Sequence, residues 1–142
     1  MKGPSTVARR DSDRVGHWLL DRFARFPDRD AVVDPHQPMT YRQLLERIDG
    51  WSTSLTSRGL PAGSVIAVEG SASSEVCALF LALLVSGRIA VPLSSNGEDR
   101  QRALEVAHVH ALFRFDPSAG WSCEPVRSST ARLSRKKLSL PA

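Results

Sequence analysis

The stretch "SSEVCALFLALLVSGRIAVPLSSN", Ser73 to Asn96, limits the possible folds of this chain more than any other. Its serines can cap a helix, and the run that follows is apolar on all sides, which predicts a helix buried on more than one face. Gly87 is predicted to end this helix, and "IAVPL" to form a central strand. Pro92 cannot donate a ladder hydrogen bond, so pairing should stop there and the chain should leave the sheet.

The rest of the chain repeats the alternation of strand and helix. Apolar steps of three and four residues in "RVGHWLLDRFARF" predict a helix that Asp13 can cap, and "AVV" is a very short strand candidate. Thr40 and Gln43 have capping-box spacing at the start of a helix that Gly59 should end. The segments "SVIAVEG" and "HALFRF" read as strands, and "GEDRQRALEVAH" as a short helix. This order predicts an α/β protein with a largely parallel sheet flanked by helices.

The positive charge lies mostly at one end of the chain. The net charge is +4, but residues 125–142 carry five basic side chains and no acid. The remainder has 14 Lys and Arg against 15 Asp and Glu, a net of −1. A body without excess positive charge gives no support for a nucleic-acid partner.

The sequence predicts a cytoplasmic protein without a membrane span. The longest apolar run, Val76 to Val85, is about half of the roughly 20 residues that a bilayer requires. The N-terminus has no apolar core of the kind that secretory signals carry. Cys77 and Cys123 are too few for a disulfide framework, and Cys77 has the apolar neighbours of a buried, inert thiol.

Four groups of residues could carry chemistry, and a structural interpretation is favoured for each. Gly70 follows a strand, but a dinucleotide-binding turn requires three glycines. His108 and His110 would share one face of a strand, yet no third metal ligand lies nearby in the sequence. Asp28 and Asp30 flank an arginine in what reads as a solvated turn. We also considered Trp18, Trp51 and Phe23 as a stacking platform, although residues at helical spacing more often form the core.

Two motifs together resemble the adenylate-forming (AMP-binding) enzymes, which include acyl-CoA synthetases, adenylation domains of nonribosomal peptide synthetases and luciferases. "MTYRQL" (Met39 to Leu44) is similar to the first core motif of that family. "LVSGRIAVPLS" (Leu84 to Ser94) is similar to the second, with Val85 and Ser86 in place of lysine and alanine, and Ser94 in place of aspartate. The resemblance runs from about Asp13 to Asp116 and implies an incomplete N-terminal subdomain of a larger adenylate-forming fold.

The resemblance implies that the complete enzyme uses ATP and Mg to convert a carboxylate into an acyl-adenylate and pass the acyl group to a thiol. The family's phosphate loop, adenine-contacting segment, ribose-binding aspartate and C-terminal lid lysine have no counterpart here. We therefore assign no catalytic, cofactor-binding or metal-binding residue, and expect no cofactor on this chain alone. The predicted organisation is a flexible segment 1–12, the family portion 13–124 and a basic, disordered tail 125–142.

The favoured hypothesis is a truncated or separately encoded N-terminal part of an acyl-adenylate-forming ligase, inactive alone. Two of the three lysines lie in "RKK", whereas 16 arginines supply the rest of the positive charge, and this change of usage favours truncation. A stand-alone, flavodoxin-like binding or regulatory module is one alternative. Half of a split enzyme is another. The expected partners are the rest of the adenylation domain or a second copy of the chain.

Overall fold

The computed structural model describes residues 16–93 and 97–126. The predicted flexible segment 1–12, the Asp13 cap and all but the first two residues of the predicted tail lie outside these ranges. The described residues divide into two compact units, drawn from 16–63 with Ala72–Ile89 and from Ser64–Ser71 with 90–93 and 97–126. The elements in chain order are α1 (16–24), β1 (Asp30–Val32), β2 (Met39–Thr40), α2 (Tyr41–Ser57), β3 (Val65–Glu69), α3 (Ser74–Val85), β4 (Ile89–Leu93), α4 (Gly97–Val106), β5 (Ala111–Asp116) and β6 (Gly120–Pro125).

Helix α2 begins with the capping box that the sequence predicts. The Gln43 backbone N–H donates to Thr40 Oγ1 at 3.3 Å, and the Thr40 backbone N–H donates to Gln43 Oε1 at 2.9 Å. Two amides that the helix leaves without an internal partner are thereby satisfied. One face of the helix is buried, and its buried residues are Leu44, Ile48, Trp51 and Leu55.

We expect Thr40→Ala to lower the free energy of unfolding by about 1 kcal/mol, because it removes one half of the capping box. Urea denaturation of the purified chain measures this change. Thr53→Ala is the matched control, since Thr53 is exposed in the middle of the same helix. An equal loss in both variants would contradict the capping role of Thr40.

Helices α2 and α3 both end on a glycine with a left-handed backbone. Gly59 has φ 75° and Gly87 has φ 71°. After each glycine, the next amide reaches back to a carbonyl five residues earlier, as in Leu60 N–H to Leu55 O at 3.0 Å. This is the Schellman arrangement, and it confirms both predicted helix ends.

The two helices are also joined by polar contacts to Glu75 at the start of α3. Trp51 Nε1–H donates to Glu75 Oε1 at 2.9 Å, and Arg47 Nε lies 3.6 Å from Glu75 Oε2. Trp51 is 5% exposed, which agrees with a core role. Trp18 is 59% exposed, so the expectation that its helix position places it in the core is wrong.

The second unit contains a four-stranded sheet in the order β4-β3-β5-β6. Strands β3 and β5 are parallel, β5 and β6 are antiparallel, and the sheet is mixed but mostly parallel. Leu104 of α4 joins a buried cluster with sheet and loop residues. The other buried members are Ala67, Leu93, Val109 and Leu112. The predicted α/β class with a largely parallel sheet is confirmed.

Two features of the sheet differ from the sequence interpretation. Strand β4 lies at one edge of the described sheet, so its predicted central position is wrong. An edge strand can accommodate Pro92, because the side of an edge strand that faces away from the sheet requires no donor. Strand β6, which follows a turn over residues 117–119, was not anticipated.

None of the described helices is long and apolar enough to cross a bilayer.

Candidate functional site

A concavity of the second unit lies where the parallel strands β3 and β5 end. It is an open depression of about 790 Å³, and we call it the carboxyl-edge depression. Ligands of open α/β sheets bind outside the carboxyl ends of the strands, which makes this the natural place to look for a site. Its walls include Glu69, Gly70, Leu93, Arg114, Asp116 and Trp121.

Glu69, the last residue of β3, is held between two arginines. Arg100 Nε of α4 lies 3.1 Å from Glu69 Oε1, and Arg114 Nε of β5 lies 3.1 Å from Glu69 Oε2. The Glu69 side chain is 13% exposed and that of Arg114 is 49% exposed. Arg114 Nη1 also lies 3.8 Å from Glu124 Oε1 on β6. Both arginines are therefore committed to carboxylates of the same unit.

The turn between β5 and β6 is fixed by Asp116. The backbone N–H and the hydroxyl of Ser118 donate to Asp116 Oδ1 at 2.9 and 2.8 Å. These donors, the backbone N–H foremost, hold the pKa of the Asp116 carboxyl below its ordinary value of 3.8. Asp116 therefore stays a negative charge on the wall of the depression at neutral pH.

Gly70 lines the depression, and a steric contact requires a glycine at this position. A Cβ on Gly70 would lie 2.8 Å from Phe115 Cβ and 3.1 Å from Phe115 O. Real Cβ atoms do not approach other atoms this closely, so Phe115 requires a glycine here whether or not a ligand binds. The structure thus accounts for the glycine that the sequence alone could connect with a nucleotide turn.

The histidine pair also has a structural arrangement. His110 Nδ1 accepts a hydrogen bond from the Val65 backbone N–H at 2.9 Å, so this ring nitrogen is occupied by the start of β3. His108 is in the left-handed backbone region, with φ 53°. Across the described ranges, no group of three or more His, Cys, Asp or Glu side chains is arranged to hold a metal ion.

The other residues considered from the sequence do not line the depression. Asp28 forms an exposed ion pair with Arg42 at 3.0 Å, and Asp30 begins β1. Cys77 is half-buried, and burial raises the pKa of its thiol, which favours the protonated and unreactive form. The second unit contributes Cys123, which is also half-buried.

Sequence reasoning missed the Glu69 cluster, although its signal is present. Glu69 is the polar end of the apolar strand "VIAVE", and Arg114 interrupts the apolar part of "ALFRFD". The register places Glu69 directly beside Arg114 in the parallel pair. Opposite charges at the ends of two predicted strands would have been enough to suggest an ion pair, had the strands been known to be neighbours.

In the first unit, Asp34 secures the start of α3. Its Oδ2 accepts the Ser74 backbone N–H at 3.1 Å, and its Oδ1 accepts the His36 backbone N–H at 2.9 Å. The N–H groups of His36 and Ser74 hold the pKa of the Asp34 carboxyl below its ordinary value of 3.8. The Ser73 hydroxyl, 3.2 Å from the Val76 N–H, caps the same helix.

This lowered pKa predicts a loss of stability in acid. The folded-state pKa is below the unfolded-state value, so the contribution of Asp34 is complete above about pH 4 and is lost as the pH falls through the folded pKa. Urea midpoints of the native chain and of Asp34→Asn, measured between about pH 6 and about pH 2, should differ less at the acid end. A constant difference across that range would contradict the role given to the Asp34 charge.

Comparisons with known proteins connect the fold with a family. The model of a family described as "AMP-binding enzyme" matches residues 19–139. A salicylyl-CoA synthase / salicylate adenylyltransferase of Streptomyces sp. is 32% identical over 97 residues, which are 68% of this chain and 17% of the relative. A phenyloxazoline synthase of Mycobacterium sp. is 29% identical over 91 residues, which are 64% of this chain and 8% of the relative.

Solved structures give the same result. An N-terminal subdomain of NpsA from Klebsiella oxytoca matches with TM-score 0.63 and 30% identity over 72% of this chain and 28% of its own. The N-terminal domain of FACL13 from Mycobacterium tuberculosis matches with TM-score 0.66 and 27% identity over 74% of this chain and 27% of its own. The chain thus spans less than a third of each of these solved structures and about a sixth or less of the two curated relatives.

Proposed function

The chain belongs to the AMP-binding enzyme family, and we propose that it supplies the scaffold part of an ATP-dependent, carboxylate-activating ligase without itself carrying the chemistry. The observation that supports this most is the family match over 19–139, combined with the likeness to N-terminal subdomains. The chain corresponds to an N-terminal piece of these adenylate-forming enzymes. The complete domain would activate a carboxylate with ATP and Mg.

The two motifs that carry the family resemblance have structural roles in this chain. The first contains the capping box of Thr40 and Gln43 that begins α2. The second contains Gly87, which ends α3, and Pro92 in the edge strand β4. Since helix ends and an edge strand account for these residues, a scaffold role is the function that they support best.

The described walls of the carboxyl-edge depression offer no unpaired cationic side chain for the phosphates of a nucleoside triphosphate. Its wall carries Glu69 and Asp116, and its charged arginine, Arg114, is paired with Glu69 and Glu124. The chain has no lysine between positions 3 and 135. Stabilising a transferring phosphoryl group requires positioned cationic donors or a metal. We therefore assign no step through ATP or Mg to the residues of this depression.

We expect the purified chain to give no carboxylate-dependent exchange of labelled pyrophosphate into ATP. The expected rate equals that of a sample without protein, because positioned donors for the phosphoryl charge are lacking at the depression. The Streptomyces salicylate adenylyltransferase, assayed with salicylate, is the positive control. Exchange by the chain above the protein-free rate would overturn the scaffold proposal.

The proposal also covers the partners and the cellular location of the chain. We propose that the chain acts with the remainder of an adenylation domain, joined to it or supplied separately, and that it self-associates when that remainder is missing. Residues 13–124 would form the family portion, although the family match continues through residue 139 into the basic segment. A cytoplasmic location and the absence of a nucleic-acid partner follow from the sequence arguments and belong to the same proposal.

A further inference from the structure

Few apolar side chains of helix α4 contact the rest of its unit. Leu104 is its one buried residue among the described positions, and Ala103 is partly buried beside the same cluster. Val106 is 73% exposed. A ten-residue helix depends mainly on tertiary packing for its stability, so α4 is weakly held by its apolar face.

The end of α4 is strained in a way that the other helix ends are not. The His108 N–H bonds to Glu105 O and the Val109 N–H bonds to Leu104 O, both at 3.4 Å, which is again the Schellman pattern. Helices α2 and α3 place glycine at the left-handed position, but α4 places His108 there, with φ 53°. A side chain with a Cβ adopts this conformation at a cost that glycine avoids.

The polar attachment of α4 is incomplete as well. Among the described residues of α4, Arg100 contacts the sheet through charge, at 3.1 Å from Glu69. Within the described residues, Arg100 Nε and Glu69 Oε2 are buried atoms without a hydrogen bond of acceptable geometry. The charged groups of these ion pairs are therefore close, but their donors and acceptors are not aligned for hydrogen bonds. A partly satisfied buried charge network stabilises less than a fully bonded one.

From these three observations we infer that α4 can separate from the rest of the second unit. The helix undocks as a whole, with Arg100 leaving Glu69 and Leu104 leaving its cluster, while β3, β5 and β6 keep their pairing. Elements with few buried contacts open at lower free energy than the strands of the core. Undocking would uncover Ala67 and Leu112, whose cluster also contains Leu93, a residue that lines the carboxyl-edge depression.

Hydrogen exchange with mass spectrometry on the full chain tests this inference. Peptides from α4 (Gly97–Val106) should exchange at least about tenfold faster than peptides from β5 (Ala111–Asp116), because their amides open locally rather than by global unfolding. His108→Gly should slow exchange in α4 by about fivefold, since it removes the left-handed strain. Glu69→Gln should speed it by a similar factor, because it removes the charge that holds Arg100.

The control is Glu124→Gln, which changes another carboxylate near Arg114 but none near Arg100. It should leave the exchange of α4 unchanged. If α4 and β5 exchange at one common rate, the helix does not undock separately and the inference fails. If α4 exchanges faster but responds to neither His108→Gly nor Glu69→Gln, the residues assigned to the attachment are wrong, and the inference fails in that form.

Discussion

Replacing Gly70 with alanine should destabilise the second unit by about 3 kcal/mol or more. The new Cβ would meet Phe115 Cβ at 2.8 Å and Phe115 O at 3.1 Å, and neither atom lies at the end of a flexible side chain. Overpacking of this kind costs about 1–3 kcal/mol. The backbone of Gly70 has φ 153°, and a region reserved for glycine adds about 1–3 kcal/mol.

Gly120→Ala is the matched control, because it changes a glycine on the same depression. Gly120 also has a positive φ, of 85°, but a Cβ there would meet nothing within 4 Å. Its cost should be limited to the backbone, about 1 kcal/mol. Urea midpoints of the two variants and the parent chain give the comparison. Equal losses at the two glycines would show that the contact with Phe115 does not determine the effect at position 70.

The features that were predicted correctly from the sequence are set by residues close together in the chain. The α2 capping box involves two residues three positions apart, and the ends of α2 and α3 depend on single glycines. Such local chemistry leaves a signal in a short window. The end of α4 lacks this signal, because His108 occupies the left-handed position that glycine occupies after α2 and α3.

The features that were missed depend on which strands are neighbours. Strand β4 reads as buried from its composition, but its edge position follows from the order of the sheet. Strand β6 is half of an antiparallel hairpin, in which Trp121 lies opposite Phe115. Its sequence "GWSCEP" lacks the β-branched residues typical of strands, and its pairing with β5 supplies the stability.

The candidate site was the least predictable part. Glu69, Arg100 and Arg114 come from two strands and a helix, and Arg100 is 31 positions from Glu69 in the chain. The spatial order of the strands brings the three side chains together, whereas no local window contains them. The hypothesis of a scaffold role came from motifs, since the family resemblance rests on short stretches around Thr40 and Gly87.

The second large effect concerns the behaviour of the isolated chain. Large apolar side chains remain exposed in both units, among them Val33 at 88%, Leu84 at 56%, Ile89 at 52% and Val106 at 73%. Burying a side chain of this kind contributes about 1.5–3 kcal/mol. Several of them together are comparable with the whole stability of a small domain, about 5–15 kcal/mol. We therefore expect the chain to associate with itself or to require further adenylation-domain chain to cover these surfaces.

Sedimentation velocity of the purified 142-residue chain at low micromolar concentration, with binding of a hydrophobic dye in the same samples, tests the scaffold account most directly. The account predicts species larger than a monomer, or a monomer that binds the dye and unfolds over a broad range of denaturant. A compact monomer that binds no dye and unfolds in one sharp transition would contradict it. That result would instead support an autonomous α/β module, the alternative that the sequence left open.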